Sequence, residues 1–284
     1  MNSLDHKIDF AALISVEKAN PNGDPLNGNR PRQNFDGYGE ISDVAIKRKI
    51  RNRLIDMGEK VFVQSNDKKV DGFKSLKDRA DAVDELKELS KGKSKDPDKF
   101  AEIAAKEWID VRSFGQVFAF KGQDISVGVR GPVSIHTATS IDPIDINSMQ
   151  ITKSVNSVTG DKKGSDTMGM KHRVNFGLYL VKGSINVQLA EKTNFTEEDA
   201  NKIKEALQTL FENDASSARP DGSMAVEKLY WWTHSSKLGQ YPSAKVHRSL
   251  HVHSKVDNPN SVEDYEIKLE MLDGLKVEEL IDGL

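Results

Sequence analysis

No cysteine occurs among the 284 residues. Disulfides, zinc ribbons and CxxC redox chemistry are therefore excluded, and a reducing, cytoplasmic location is expected. Long apolar runs are missing as well. The longest, Phe10 to Ile14, falls far short of a membrane span, and Asp5, Lys7 and Asp9 stand where a signal peptide needs a hydrophobic stretch. The expectation is a soluble chain that stays where it is made and has no membrane partner. Catalytic signatures are equally scarce: there is no GxSxG, no P-loop and no HExxH. No cofactor or bound metal is expected. A strong excess of one charge is also absent, since the formal net charge is −3. The acid is nevertheless concentrated at the end. Residues 257–284 hold nine Asp or Glu against Lys268 and Lys276, a balance of −7 that leaves +4 on residues 1–256. A mildly basic body with an acidic tail is weak support for a nucleic-acid partner.

With 37% hydrophobic and 30% charged residues, the chain reads as one globular domain, 1–284, carrying insertions. Its most informative stretch is NPNGDPLNGNRPR at 20–32 followed by ISDVAIKRKIRNRL at 41–54. The first part is too rich in Asn, Gly and Pro for a helix or a strand interior, and it ends in Arg30 and Arg32. In the second, Ser42 is a candidate N-cap, and Ile46, Ile50, Leu54 and Met57 form one apolar helical stripe that Gly58 ends. Lys47 and Arg51 lie four apart beside that stripe, flanked by Arg48. A cationic loop next to a cationic helix face can grip a polyanion backbone. From the residues by themselves, that reading and a merely solvated face both stand.

The rest of the chain supplies a coarse order of elements. Residues 8–17 read as a buried strand and 61–64 (VFVQ) as a short one. Residues 72–108 are rich in Lys, Asp and Glu, with Leu76, Val83, Leu86 and Leu89 at helical spacing, and predict an exposed helical insertion. IDVRSFGQVFAF at 109–120 and ISVGVRGPVSI at 125–135 predict sheet elements. Residues 138–175 lose aromatic residues and predict a protruding β-hairpin, on which Met168 and Met170 are candidate wedges against a base, accompanied by Lys153, Lys171 and Arg173. GLYLVKGSINVQLA at 177–190 reads as two strands joined at Lys182-Gly183, and 195–213 as a helix capped by Thr196 with Asp199 in a capping box. A strand at 228–234, strands near 245–253 and 262–272, and a short acidic helix complete the chain. This order fits an α+β, ferredoxin-like domain with decorations.

Other constellations are weaker. His247, His251 and His253 are close in sequence, but without carboxylates at ligand spacing they are equally a sheet edge. Tyr230 and Trp232 would share a strand face, where core packing competes with base stacking. Asp24 suits a turn better than a metal, and His136 and His172 have no visible partner.

Several of these segments together resemble a known family. NPNGDPLNGNRPR, IKRKIRNRL, DVRSFG at 110–115, VRGPVSIHTATSIDPI at 129–144, TMGMKHRVNFGLY at 167–179 and SSARPDGSM at 216–224 are similar to the backbone subunit of type I CRISPR Cascade complexes, of the RAMP superfamily. They are most like its type I-C form. The resemblance implies a modified RNA-recognition, ferredoxin-like palm, helical fingers at 72–108 and a β-hairpin thumb at 138–175. It implies a guide-RNA backbone site at Asn27, Asn29, Arg30, Arg32, Ser42, Lys47, Arg48 and Arg51, extended by Lys153, Met168, Met170, Lys171 and Arg173 of the thumb. The implied partners are the CRISPR guide RNA, target DNA paired to that guide, further copies of the chain, and the guide-processing end, large and small subunits of the complex. The implied role is assembly without catalysis, because backbone contacts let one subunit serve any guide while base pairing reads the target. A ribonuclease of the same superfamily is the alternative. Against it stand the acidic terminal DGLKVEELIDGL, which lacks a glycine-rich loop, and the absence of an evident acid/base pair. A scaffold that never touches nucleic acid would leave the Arg30 to Arg51 cluster unexplained.

Overall fold

The computed structural model describes residues 3–91, 96–120, 126–152, 159 and 168–281. In chain order its strands are β1 (Ile8–Ala19), β2 (Gly23–Asp24), β3 (Arg30–Pro31), β4 (Tyr38–Ile41), β5 (Gly115–Phe118), β6 (Val127–Arg130), β7 (Val133–Ile135), β8 (Ala138–Pro143), β9 (Ile146–Thr152), β10 (Met168–Ile185), β11 (Met224–Thr233), β12 (Leu250–Ser254), β13 (Tyr265–Leu269) and β14 (Lys276–Ile281). The helices are α1 (Asp43–Asp56), α2 (Leu76–Asp81), α3 (Asp84–Lys91), α4 (Pro97–Glu107), α5 (Ile109–Phe114), α6 (Val187–Thr193), α7 (Glu197–Gln208) and α8 (Ser243–Arg248). Among the described residues the main sheet runs β14-β11-β1-β10-β8-β4, with β7 and β9 also paired to β10. All of these pairings are antiparallel.

β1 has a continuous apolar run because both of its faces are covered. Ile8, Phe10, Ala12, Ile14 and Val16 belong to a core shared with Ile46, Ile50 and Leu54 of α1 and Ile203 and Leu207 of α7. Ala11 and Leu13 point the other way, into a second core with Tyr230, Trp232, Val246, Leu250 and Tyr265. Tyr230 and Trp232 do share a face, stacked at 5.9 Å, but both are buried, so they pack the core and offer no base-stacking platform. A third cluster joins Phe62, Leu86, Phe100, Trp108, Phe118 and Val127. Phe62 sits 4.7 Å from Trp108 and 5.0 Å from Phe118 between ring centroids, and burying each such ring stabilises by roughly 1.5–3 kcal/mol. The 72–108 stretch, which carries α2, α3 and α4, thus rests on an aromatic cluster of its own.

Local signals place several elements where the sequence predicts them. Ser42 caps α1, its Oγ accepting from Ala45 N at 3.2 Å, and Gly58 follows the helix at φ +84°. Thr196 and Asp199 form the expected capping box on α7.

Elsewhere the structure corrects the sequence reading. Residues 61–64 are not a strand. The Asp110 carboxylate takes the place of a neighbouring strand there, accepting from Phe62 N at 2.6 Å and Val63 N at 3.0 Å. For the same reason 109–114 is the helix α5, since its short turn carries Asp110 inward, and strand begins at Gly115. Lys182-Gly183 is no turn. β10 runs straight through it, and Gly183 is required because a Cβ there would lie 2.1 Å from the Phe10 ring. Residues 243–248 are helical, so His247 is buried with its Nε2 donating to Gly183 O at 3.0 Å. His251 and His253 instead stack on the exposed side of β12. The acidic terminal segment is the edge strand β14 rather than a helix, registered on β11 from Lys228↔Ile281 to Thr233↔Lys276. Its Glu278 and Glu279 meet Lys204 and Lys228, and this cross-strand and helix pairing is what makes an acidic strand tolerable.

Candidate nucleic-acid interface

The Asn/Gly/Pro loop is a folded miniature. β2 and β3 pair through Gly23↔Pro31 and Asp24↔Arg30, and a 3₁₀ turn at Pro25–Asn27 joins them. Asp24 is the turn former: its Oδ1 accepts from Leu26 N at 3.2 Å and lies 3.6 Å from Arg32. Gly28 and Asn29 both adopt left-handed backbone, at φ +58° and +59°, a conformation that Gly and Asn tolerate best. Asn27 and Asn29 are exposed, while Arg30 and Arg32 are half-buried. The loop also steadies the helix that follows, since Asn22 Oδ1 accepts from Ser42 N at 2.9 Å.

The α1 cations differ from one another. Lys47 forms an i,i+4 pair with Asp43 at 3.0 Å and keeps part of its side chain in solvent. Arg48 donates to Val63 O at 2.6 Å, and burial, followed by the neighbouring Arg51 charge, lowers its guanidinium below the ordinary value. Arg51 is mostly buried. Its Nε donates to Asp110 at 2.9 Å and its guanidinium lies over the Phe114 ring at 5.1 Å. The DVRSFG segment is therefore structural here: Asp110 holds Arg51 and residues 62–63, and Arg112 makes a bidentate pair with Asp199 at 2.7 and 3.0 Å.

β9 and the start of β10 form the ladder on which the thumb was expected, with register Met168↔Thr152 through Val174↔Ile146. Met168 and Met170 are exposed large hydrophobic side chains, at 60% and 55%. Alternation along the strand separates the residues that the sequence reading grouped. Met168, Met170 and His172 share one face, and Lys171 and Arg173 lie on the other. Lys153 lies outside the described residues. At the root of this hairpin Arg30 reaches across, its terminal nitrogen 2.8 Å from Ser148 Oγ and 3.4 Å from His172 Nδ1. Sequence reasoning missed this junction, because β3 and β10 meet only through tertiary folding.

Behind the loop lies a cleft of about 370 Å³ lined by Asn22, Gly23, Arg48, Lys49, Asn52 and Arg219, among others. Its deepest cation, Lys49, pairs with Asp214, which also accepts from Arg219 at 3.2 Å. Burial is the largest influence on Lys49 and pulls its pKa down to about 8, against the opposing pull of Asp214. An unfolded Lys titrates near 10.4, so between pH 8 and that value the unfolded chain binds the proton that the folded chain has released. Stability should therefore rise across this window and be lowest, for this group, below it. Melting midpoints at pH 7.5, 8.5 and 9.5 check this: the increase should shrink in Lys49→Met, and an unchanged increase would refute the assignment.

A family model described as CRISPR-associated protein Cas7 matches residues 6–270. The chain belongs to the Cas7 family. A curated relative from Haloferax volcanii, named CRISPR-associated protein Cas7, is 27% identical over 256 residues, covering 82% of this chain and 67% of that protein. One solved structure, described as a CRISPR RNA-guided surveillance complex, pre-nicking, is similar at 16% identity and TM-score 0.49 over 80% of this chain and 78% of that one. Another, a CRISPR RNA-guided surveillance complex, matches at 14% identity and TM-score 0.41 over 80% and 68% of the two chains. These two likenesses are too distant to add to the family assignment. In this Cas7 family member the matched span contains the loop, α1 and the β9–β10 ladder.

Proposed function

We propose that this Cas7 family member is a non-catalytic backbone subunit of a type I Cascade surveillance complex, of the type I-C form, which polymerises along the spacer of a CRISPR guide RNA. The observation that carries the reading is the joining, in a Cas7 family chain, of the cationic loop at 20–32 to the root of the β9–β10 hairpin through Arg30. On this reading the large sheet and its helices, β8 (Ala138–Pro143) included, are an RNA-recognition palm, 72–108 are the fingers and the β9–β10 ladder that follows β8 within 138–175 is the thumb. Asn27, Asn29, Arg30, Arg32, Ser42, Lys47 and Arg48 hold the guide's backbone. Arg51 serves the same surface from beneath by fixing α1 to Asp110. Met168 and Met170 wedge against a base on the face that looks toward Arg30, Lys171 and Arg173 meet phosphates on the opposite face, and Lys153 is a further phosphate contact. Copies of the chain line up on the guide, target DNA pairs with the exposed guide bases, and the end, large and small subunits complete the complex in the cytoplasm.

The test is size-exclusion chromatography with light scattering on the purified chain mixed with labelled single-stranded RNA of arbitrary sequence and Mg²⁺. Intact RNA carrying several protein copies, in a complex that salt dissolves, is the expected result. Cleaved RNA would transfer the assignment to the ribonuclease alternative.

A further inference from the structure

The contacts of Arg30 are unusual for a cation in an exposed loop. One terminal nitrogen donates to Ser148 Oγ at 2.8 Å, and Ser148 Oγ lies 2.8 Å from His172 Nδ1. The same arginine nitrogen is 3.4 Å from that ring nitrogen. Ser148 and His172 are register partners on β9 and β10, so the hydroxyl and the imidazole are presented side by side by the ladder itself. Arginine can only donate, so Ser148 Oγ and His172 Nδ1 both face it as acceptors.

This chain leaves a specific part of Arg30 unengaged. One terminal nitrogen is anchored, whereas Nε and the second terminal nitrogen have no protein partner among the described residues. Those two atoms form the fork that recognises phosphate with two parallel hydrogen bonds. Anchoring one edge of a guanidinium removes rotamer freedom that would otherwise be lost on binding. An arginine fixed in this way meets a phosphate in one orientation. The ladder also puts Met168 and Met170 on the same face as His172, so the fixed fork and the exposed methionines lie on one side of the hairpin.

We infer that Ser148 and His172 are positioning residues that hold Arg30 with its Nε edge presented to a single phosphate of bound RNA, and so couple the loop to the hairpin. The inference rests on the RNA-binding reading above. Neither residue touches the RNA; each acts through Arg30. Lys171 and Arg173, on the far face of the ladder, take no part.

The experiment measures binding of the full chain to fluorescently labelled single-stranded RNA across a salt series. The proteins are wild type, Arg30→Ala, His172→Ala, His172→Asn, Ser148→Ala and the Arg30→Ala/His172→Ala double variant. Arg30→Ala should lower affinity about tenfold and flatten the log-log salt slope by about 0.7, the share of one phosphate on a single strand. His172→Ala should reproduce most of both changes, and the double variant should be no weaker than Arg30→Ala. His172→Asn should recover binding, because its amide oxygen can stand where Nδ1 accepts. A residue that served the fold alone would give losses that multiply in the double variant. Such multiplication, or wild-type binding by His172→Ala, would overturn the inference while leaving RNA binding intact. If His172→Ala fails to fold, Ser148→Ala is compared with Arg30→Ala by the same criteria. Failure of the wild-type chain to bind any RNA would overturn the functional reading and the inference together.

Discussion

Arg51→Ala should lose about 3–5 kcal/mol of folding stability, the cost of stranding a buried carboxylate, whereas Lys47→Ala, one helical turn earlier, should lose no more than about 0.5 kcal/mol. The two residues look equivalent in the sequence, four apart on one helix. Their partners separate them. The Arg51 side chain is 12% exposed and Asp110 1%, and the same carboxylate also holds Phe62 N and Val63 N. Removing the guanidinium leaves that charge facing two amides with nothing to balance it, and it uncovers the Phe114 ring that Arg51 lies over. Lys47 and Asp43 retain 24% and 37% exposure, so water replaces the lost pair. Urea unfolding followed by circular dichroism measures both. Asp110→Ala should be comparably destabilising, and the double variant should lose much less than the sum, because each residue's cost is the other's isolation. Arg51→Ala unfolding at the wild-type urea concentration would disprove the structural role and return Arg51 to the phosphate-binding set.

The contrast between Lys47 and Arg51 shows where the sequence stops being legible. Features fixed within one helical turn or one strand can be read directly: the Ser42 cap, the stripe Ile46, Ile50, Leu54, the Thr196–Asp199 box and the doubly buried β1. Features that depend on a distant partner cannot. Nothing local in VFVQ or IDVRSF says that a carboxylate from the second will satisfy the backbone of the first, and the apolar run of the first and the alternation at the start of the second both mimic strand. The acidic end reads as helix because the basic partners that make it a strand, Lys204 and Lys228, are dozens of residues away. Gly183 invites a turn until the Phe10 ring across the ladder is seen to need its missing Cβ. The candidate site divides in the same way. Its loop and cations are visible in composition, yet the Arg30–Ser148–His172 junction joins three strands. Strand parity, which was available from the spacing, already separates Met168 and Met170 from Lys171 and Arg173 once the ladder's register is known.

RNA affinity per subunit should fall steeply with salt and by the same factor for every sequence. With Arg51 engaged by Asp110, four cations remain for phosphate contact near the loop and α1: Arg30, Arg32, Lys47 and Arg48. Each phosphate neutralised on a single strand contributes about −0.7 to the log-log slope, so the four together give roughly −2.8. A fourfold increase in salt would then weaken each subunit's grip about fiftyfold. Losses of that size leave a single copy weakly bound at moderate salt, and a continuous array would persist only if neighbouring copies also contact one another. Binding to long RNA should therefore be cooperative, and short RNA that holds one copy should reveal the bare slope. Anisotropy titrations of homopolymeric and mixed-sequence RNAs, each short enough for one subunit, provide the measurement. Slopes that agree across sequences locate recognition in the backbone. A slope near zero would mean that these cations do not meet phosphate, and slopes that differ with base composition would mean that the hairpin face reads bases, contrary to a subunit that must accept any guide.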